Sequence, residues 1–309
     1  MRAYERFLKY VTIYTTSDEE STTHPSTARQ FDLAHLLVAQ LKELGVADAA
    51  VDDKCYVYGT LPATPGYEEK PALGFVSHMD TAPAAPGENV KPQVFENYDG
   101  GDVLFAGTGE YMTVEKFPEL ANWKGQTLIT ADGTTLLGAD DKAGIAEIMT
   151  AVERIQSENI PHGKICIGFT PDEEVGQGAD FFDVDRFGAQ FAYTVDGGDV
   201  GELEYQNFNA ADAVVTVHGF SVHPGSAKGL MKNAQTIAME FDRLLPAAER
   251  PQYTEGYEGF YHMTDIHGGV EETHCTYILR DHDSDKLAAR GETMQKAAAF
   301  LNERYGEGT

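Results

Sequence analysis

The sequence predicts an α/β fold on a mostly parallel sheet, followed by a smaller α+β unit of ferredoxin-like type. Three observations carry that expectation. Apolar runs of strand length alternate with amphipathic helical segments through the first two thirds of the chain, as in strands joined by helical crossovers. After about Phe208 the order changes to strand, helix, strand, strand, helix, one strand short of a split β-α-β unit. Finally, 309 residues suffice for two domains, and the change of pattern puts them at 1–207 and 208–309.

Along the chain, TARQFDLAHLLVAQLKELG repeats apolar side chains at Phe31, Ala34, Leu37, Val38, Leu41 and Leu44, a helical spacing that Gly45 stops. Residues 72–79, ALGFVSHM, form a buried strand. DKAGIAEIMTAVERIQ returns to the helical period, with Ile145, Ile148, Met149, Val152 and Ile155 on one face. KICIGFTPD and FAYTVDGG supply two more buried strands, and in such sheets chemistry gathers where strands end. In the second unit, ADAVVTVHG is a strand and KNAQTIAMEFDRLLP a helix ended by Pro246. GFYHMTDIHG and EETHCTYILRD pair through a turn at Gly268 and Gly269, and SDKLAARGETMQKAAAFLNERYG is a second helix. Thr309 falls where a closing strand is expected, so both domains read as truncated at the C-terminal end.

Charge narrows the partners. With 50 acidic against 23 basic residues the net charge is -27. That field repels phosphate backbones and anionic membrane surfaces, which argues against nucleic acid and membrane partners. It suits cations, including metal ions and a peptide's free amino terminus, although its main consequence is solubility. Cys55, Cys166 and Cys275 lie far apart without a CxxC pair, so neither a disulfide framework nor a thiolate zinc site is expected. Arg2, Glu5, Arg6 and Lys9 interrupt the amino-terminal segment where a secretion signal needs an apolar core. No apolar run reaches membrane-spanning length. A cytoplasmic location is expected.

Four motifs sit where strands end or helices begin: SHMD (77–80), GADDKAG (138–144), PDEEVGQG (171–178) and TVDGG (194–198). Singly, each has an ordinary structural reading. His78 with Asp80 fits a strand-end histidine beside a solvated acid, and Asp140 and Asp141 fit an acidic helix start. Together they bring one imidazole and several carboxylates to neighbouring strand ends, a concentration of negative charge that calls for cations. Two divalent ions sharing one carboxylate, about 3.5–4 Å apart as in two-metal hydrolytic sites, would meet that need. Mixed imidazole and carboxylate ligands suit zinc, with cobalt or manganese as alternatives. The sequence lacks an HExxH helix, a GxSxG elbow and a P-loop.

GFVSHMDT, LLGADDKAGIAEIM, PDEEVGQGAD and YTVDGG, in this order and spacing, resemble the M20 family of dinuclear metallopeptidases. EYQNFNAA, SVHPGSAKGLMKNA and TEGYEGFYH extend the resemblance to the tripeptide aminopeptidases of that family, over essentially the whole chain. The resemblance implies a zinc-peptidase catalytic domain, an inserted small domain of lid or dimerisation type, tripeptide substrates, two zinc ions per complete subunit and a possible homodimer. It implies that His78 and Asp196 hold one zinc, that Asp140 bridges both metals and that Glu174 holds the second. Asp80 would orient His78, and Glu173 would be the general base. A cis peptide is expected between Asp140 and Asp141. His223 would reach a reaction-site oxygen, and Arg280 would grip a substrate carboxylate, its ordinary alternative being an ion pair with Asp281 or Asp283. Asn233 either caps its helix or touches substrate.

The family pattern needs one further ligand, a histidine after the chain's return from the small domain. His282, the last histidine, lies in the small domain. The same chemistry also fits a dipeptidase, carboxypeptidase or deacylase of the family, and a truncated chain would bind metal without turnover. Release of the amino-terminal residue from tripeptides separates these readings. His218, His262, His267 and His274 are expected to line the small domain's sheet and receive no role.

Overall fold

Residues 1–309 are all described by the computed structural model, and their contacts fall into two units, Met1–Glu202 and Leu203–Thr309. The first unit opens with helices α1 (Ala3–Tyr10) and α2 (Gln30–Glu43), then strands β1 (Ala50–Val51), β2 (Val57–Leu61) and β3 (Leu73–His78). Four short strands follow: β4 (Gln93–Phe95), β5 (Val103–Leu104), β6 (Tyr111–Met112) and β7 (Leu128–Thr130). Helix α3 (Ala139–Ser157), strand β8 (Ile165–Thr170), helix α4 (Val184–Phe187) and strand β9 (Phe191–Thr194) complete it.

The main sheet has the order β1-β2-β8-β3-β9. Strands β8, β3 and β9 are parallel, whereas β2 and β1 extend the sheet antiparallel from β8. The sheet is therefore parallel across the three strands that end at the sequence motifs. Period two sorts its side chains. Ile165, Ile167 and Phe169 join Leu33, Leu37 and Leu41 of α2 and Ile145, Ile148 and Met149 of α3 in one core. Cys166 packs instead with Tyr56, Tyr58 and Phe187 in a second cluster. Each large apolar side chain buried this way contributes roughly 1.5–3 kcal/mol. Gly144 lets α3 approach the end of β9, because a Cβ there would collide with the Val195 carbonyl oxygen.

The segment between β3 and α3 departs from the simple alternation. It forms two small antiparallel pairs, β4 with β7 and β5 with β6, over a cluster of Tyr98, Val103 and Leu120. Strands of two or three residues are too short for alternation to register in sequence.

The second unit runs β10 (Asn209–His218), α5 (Ala234–Leu244), β11 (Phe260–Gly268), β12 (Glu272–Asp281) and α6 (Ser284–Tyr305). Its antiparallel sheet has the order β10-β12-β11. Val217, Cys275, Tyr277 and Leu279 point into a core with Ile237 and Phe241 of α5 and Met294 and Leu301 of α6. Beneath α6, the buried Arg290 meets Asp281 at 3.0 Å. All three cysteines are buried and unpaired. No helix is long and apolar enough to cross a membrane.

Candidate active site

Parallel strands carry their following loops at the same sheet edge, and here three such loops and one helix start converge. His78 ends β3, Asp80 follows two residues later, Glu173 and Glu174 follow β8, Asp196 follows β9, and Asp140 opens α3. The peptide between Asp140 and Asp141 is cis. His78 is buried, and its Nε2 lies 2.8 Å from Asp140 Oδ1, 3.8 Å from Glu173 Oε2 and 3.8 Å from Asp196 Oδ2. Two sets of possible ligand atoms lie within 4.8 Å of one another: His78, Glu173 and Asp196, and His78, Asp140 and Glu174. All four residues expected to hold metal are thus gathered around one imidazole. Glu173, expected as a base, shares ligand distance with them.

Asp80 organises the cluster from below. It is fully buried, its main-chain oxygen lies 3.1 Å from His78 Nδ1, and its carboxylate accepts hydrogen bonds from the Glu173 and Glu174 amides at 3.0 and 3.1 Å. One aspartate therefore fixes the ring orientation and the backbone of both glutamates.

A second layer was not singled out by sequence. Asp172, in a left-handed conformation immediately before Glu173, accepts from the Ser26 amide at 2.6 Å and from Ser26 Oγ at 2.5 Å. Its carboxylate also accepts from Gln30 Nε2 at 2.6 Å. Asp141 accepts from Ser77 Oγ and from the His78 amide, tying the helix start to β3. Lys142 is buried, and its ammonium donates to the Ile13 carbonyl at 2.8 Å. The run of three acids in PDEE conceals that its first member faces inward, because a left-handed turn leaves no periodicity to read.

The electrostatics follow from crowding half-buried and exposed acids around one buried imidazole. Burial raises the Glu173, Glu174 and Asp196 carboxyls above their ordinary range, and neighbouring carboxylates raise them further while His78 opposes. Burial pushes Asp141 up to about 7 against the Ser77 hydrogen bond. Burial alone would strip the proton from His78, but hydrogen bonding to Asp80 and the charges of Asp80 and Asp141 override it and push the imidazole up to about 10. Burial lowers Lys142 to about 8. Four carboxylates around one imidazole form a donor set that cations would neutralise, and its mixed nitrogen and oxygen atoms fit a divalent ion.

The three candidates in the second unit have partners of their own. His223 Nδ1 accepts from the Gly225 amide at 3.1 Å at the start of a short turn. The Asn233 side-chain oxygen accepts from the Gln235 and Thr236 amides at 2.9 and 3.3 Å and caps α5. Arg280 makes neither of the ion pairs available in sequence. Its guanidinium lies 3.8 Å from the Phe208 ring centre and 5.6 Å from that of Phe260, and its Nε is buried without a partner.

Residues 205–309 match the M20 family's peptidase dimerisation domain. Peptidase T of Alkaliphilus oremlandii is 56% identical over 308 residues, covering 99% of this chain and 75% of the relative. Peptidase T of Clostridium acetobutylicum is 58% identical over 304 residues, covering 98% of this chain and 74% of the relative. Among solved structures, the aminopeptidase PepT from Bacillus cereus aligns with a TM-score of 0.69 at 25% identity, over 96% of this chain and 70% of its own. A tripeptidase from Staphylococcus aureus aligns with the same TM-score, identity and coverage.

Proposed function

The chain belongs to the peptidase T family of M20 peptidases, and on that premise we propose that its strand-end cluster removes the amino-terminal residue of tripeptides. The observation that carries this reading is the convergence of Glu173 and Asp196, and of Asp140 and Glu174, on His78, each set with its ligand atoms within 4.8 Å of one another. His78 and Asp196 would hold one zinc, Glu174 the second, and Asp140 would bridge; cobalt or manganese suits the same donors. When bound, two such ions polarise a carbonyl oxygen and acidify water.

The chain's own residues do the rest. The Asp80 main-chain oxygen holds the Nδ1 proton of His78 and leaves Nε2 as the donor atom. Asp80 also holds the Glu173 and Glu174 amides, so both side chains start from a fixed backbone. Glu173, half exposed, takes a proton from the attacking water on a carboxylate oxygen and delivers it to the leaving amine nitrogen. Its raised carboxyl pKa brings acceptance and release closer to neutral pH. The acidic cluster favours the cationic amino terminus of the peptide, while Arg280 and His223 are assigned to substrate recognition.

The test is release of the first residue from tripeptides, dipeptides and acylated amino acids by zinc-loaded protein. Turnover of tripeptides alone is expected, and preference for either other class would replace this reading with a dipeptidase or deacylase. Glu173→Ala should lower tripeptide turnover by about 10²–10⁴-fold with both metals retained. Persistent turnover in that variant would remove Glu173 from its role.

A further inference from the structure

Four histidines of the second unit have no part in the preceding reading. His218, His262, His267 and His274 all project from the same face of the β10-β12-β11 sheet, opposite the face that carries Val217, Cys275, Tyr277 and Leu279 into the core. Three of them gather at one end. His267 pairs directly with His274 across β11 and β12, and His218 pairs with Glu272 across β10 and β12.

Their polar contacts are ordered. His267 Nδ1 lies 2.5 Å from Asp265 Oδ2, which leaves Nε2 free. His274 Nδ1 lies 3.2 Å from Thr216 Oγ1, and its Nε2 lies 3.0 Å from Glu272 Oε1. The other Glu272 oxygen is 3.1 Å from His218 Nδ1. Ring centres of His267 and His274 are 5.2 Å apart. Two imidazoles bound to one tetrahedral ion at roughly 2.0–2.1 Å hold their ring centres about 5 Å apart. His267 and His274 each have an oxygen partner on Nδ1, as oriented metal-binding histidines do, and the oxygen beside His274 Nε2 belongs to Glu272, a carboxylate that would share the ion.

The geometry points to a divalent transition-metal site on this sheet face, with His267, His274, Glu272 and His218 as ligands and Asp265 and Thr216 as orienting partners. Imidazole-rich sets with one carboxylate take zinc, and nickel or copper(II) bind comparable donors. No three of these ligand atoms yet lie within 4.8 Å of one another, but the sheet register fixes their attachment points and the side chains, 34–66% exposed, are free to turn toward a shared ion. The site rests on none of the roles assigned to the strand-end cluster.

The test uses the full chain carrying His78→Ala and Asp140→Ala, stripped with a chelator and titrated calorimetrically with Zn²⁺ alone. One saturable site per chain is expected. His267→Ala or His274→Ala should weaken it at least about tenfold, and the pair together should remove it. A second measurement counts zinc per chain after dialysis in the otherwise unaltered protein, where the paired substitution should remove one ion. No saturable binding in the first arm, or an unchanged count in the second, would overturn the assignment. Circular dichroism of every variant separates loss of a ligand from loss of fold.

Discussion

Two clusters of histidine and carboxylate occur in this molecule, and they are built in opposite ways. Around His78, ligands come from four separated segments and meet only because three parallel strands end at one sheet edge. Around His274, they come from adjacent antiparallel strands and meet through register and alternation. The first cluster is anchored on the buried His78, Asp80 and Asp141, so its acids and imidazole strongly perturb one another although Asp140 and Glu173 reach solvent. The second is largely exposed, where water screens such coupling. Buried supports therefore make the first site sensitive to their loss, whereas the second should lose metal without losing fold.

Breaking that contrast begins with Asp80. Asp80→Ala would leave the Glu173 and Glu174 amides without their acceptor and His78 without the Asp80 carboxylate, so a stability loss of about 3 kcal/mol is expected. Zinc affinity at the first cluster should fall by about 10–100-fold, read by competition with a chelating dye. Retained affinity and unchanged melting would show that the cluster does not depend on this support.

The pH dependence of the same cluster comes next. The folded His78 pKa, about 10 against an ordinary 6.5, is raised. Its contribution to the metal-free fold is complete below about pH 6.5 and is lost as pH rises toward 10. Cation binding runs the other way, since the proton must leave, and affinity should rise by up to about tenfold per pH unit. Melting and zinc titrations across pH 6–9, a range of about three units, should therefore show opposite trends. Parallel trends would remove His78 from the ligand set.

Asp172→Ala tests the layer beneath the two glutamates. Losing the acceptor for Ser26 and Gln30 should cost about 2 kcal/mol and lower kcat/KM without changing the number of metals bound. Asn233→Ala removes a helix cap and should cost about 1 kcal/mol, with KM for tripeptides unaltered. A raised KM at unchanged stability would instead make Asn233 a substrate contact. The smallest effect belongs to the second cluster, where His274→Ala should shift stability by less than about 0.5 kcal/mol. A larger loss would mean that this imidazole supports the sheet.

The strands and helices that the sequence exposes most clearly are those with long, regular apolar periods. Helix α3 shows its Ile145, Ile148, Met149 and Val152 face, and β3 and β8 read as uninterrupted buried runs. The β10-α5-β11-β12-α6 order was legible for the same reason. The pairs β4 with β7 and β5 with β6 were not, because strands of two or three residues carry no period. Arg280 offers a sharper lesson: two acids lie within three positions of it, yet its guanidinium stacks on Phe208 and Phe260. Sequence proximity supplies possible partners, but packing chooses among them.

Residue type and spacing alone determined the long strands and helices, which strand ends carry acids, and the family to which the chain belongs. Each of those properties is local or is a pattern along one dimension. Only the tertiary structure decided that Asp80, beside orienting His78, also holds the Glu173 and Glu174 amides, that Asp172 faces inward, and that His218, His267 and His274 gather at one end of the sheet. Hydrogen bonds and charge coupling depend on distance in space, which strand order, register and burial set after the chain has folded.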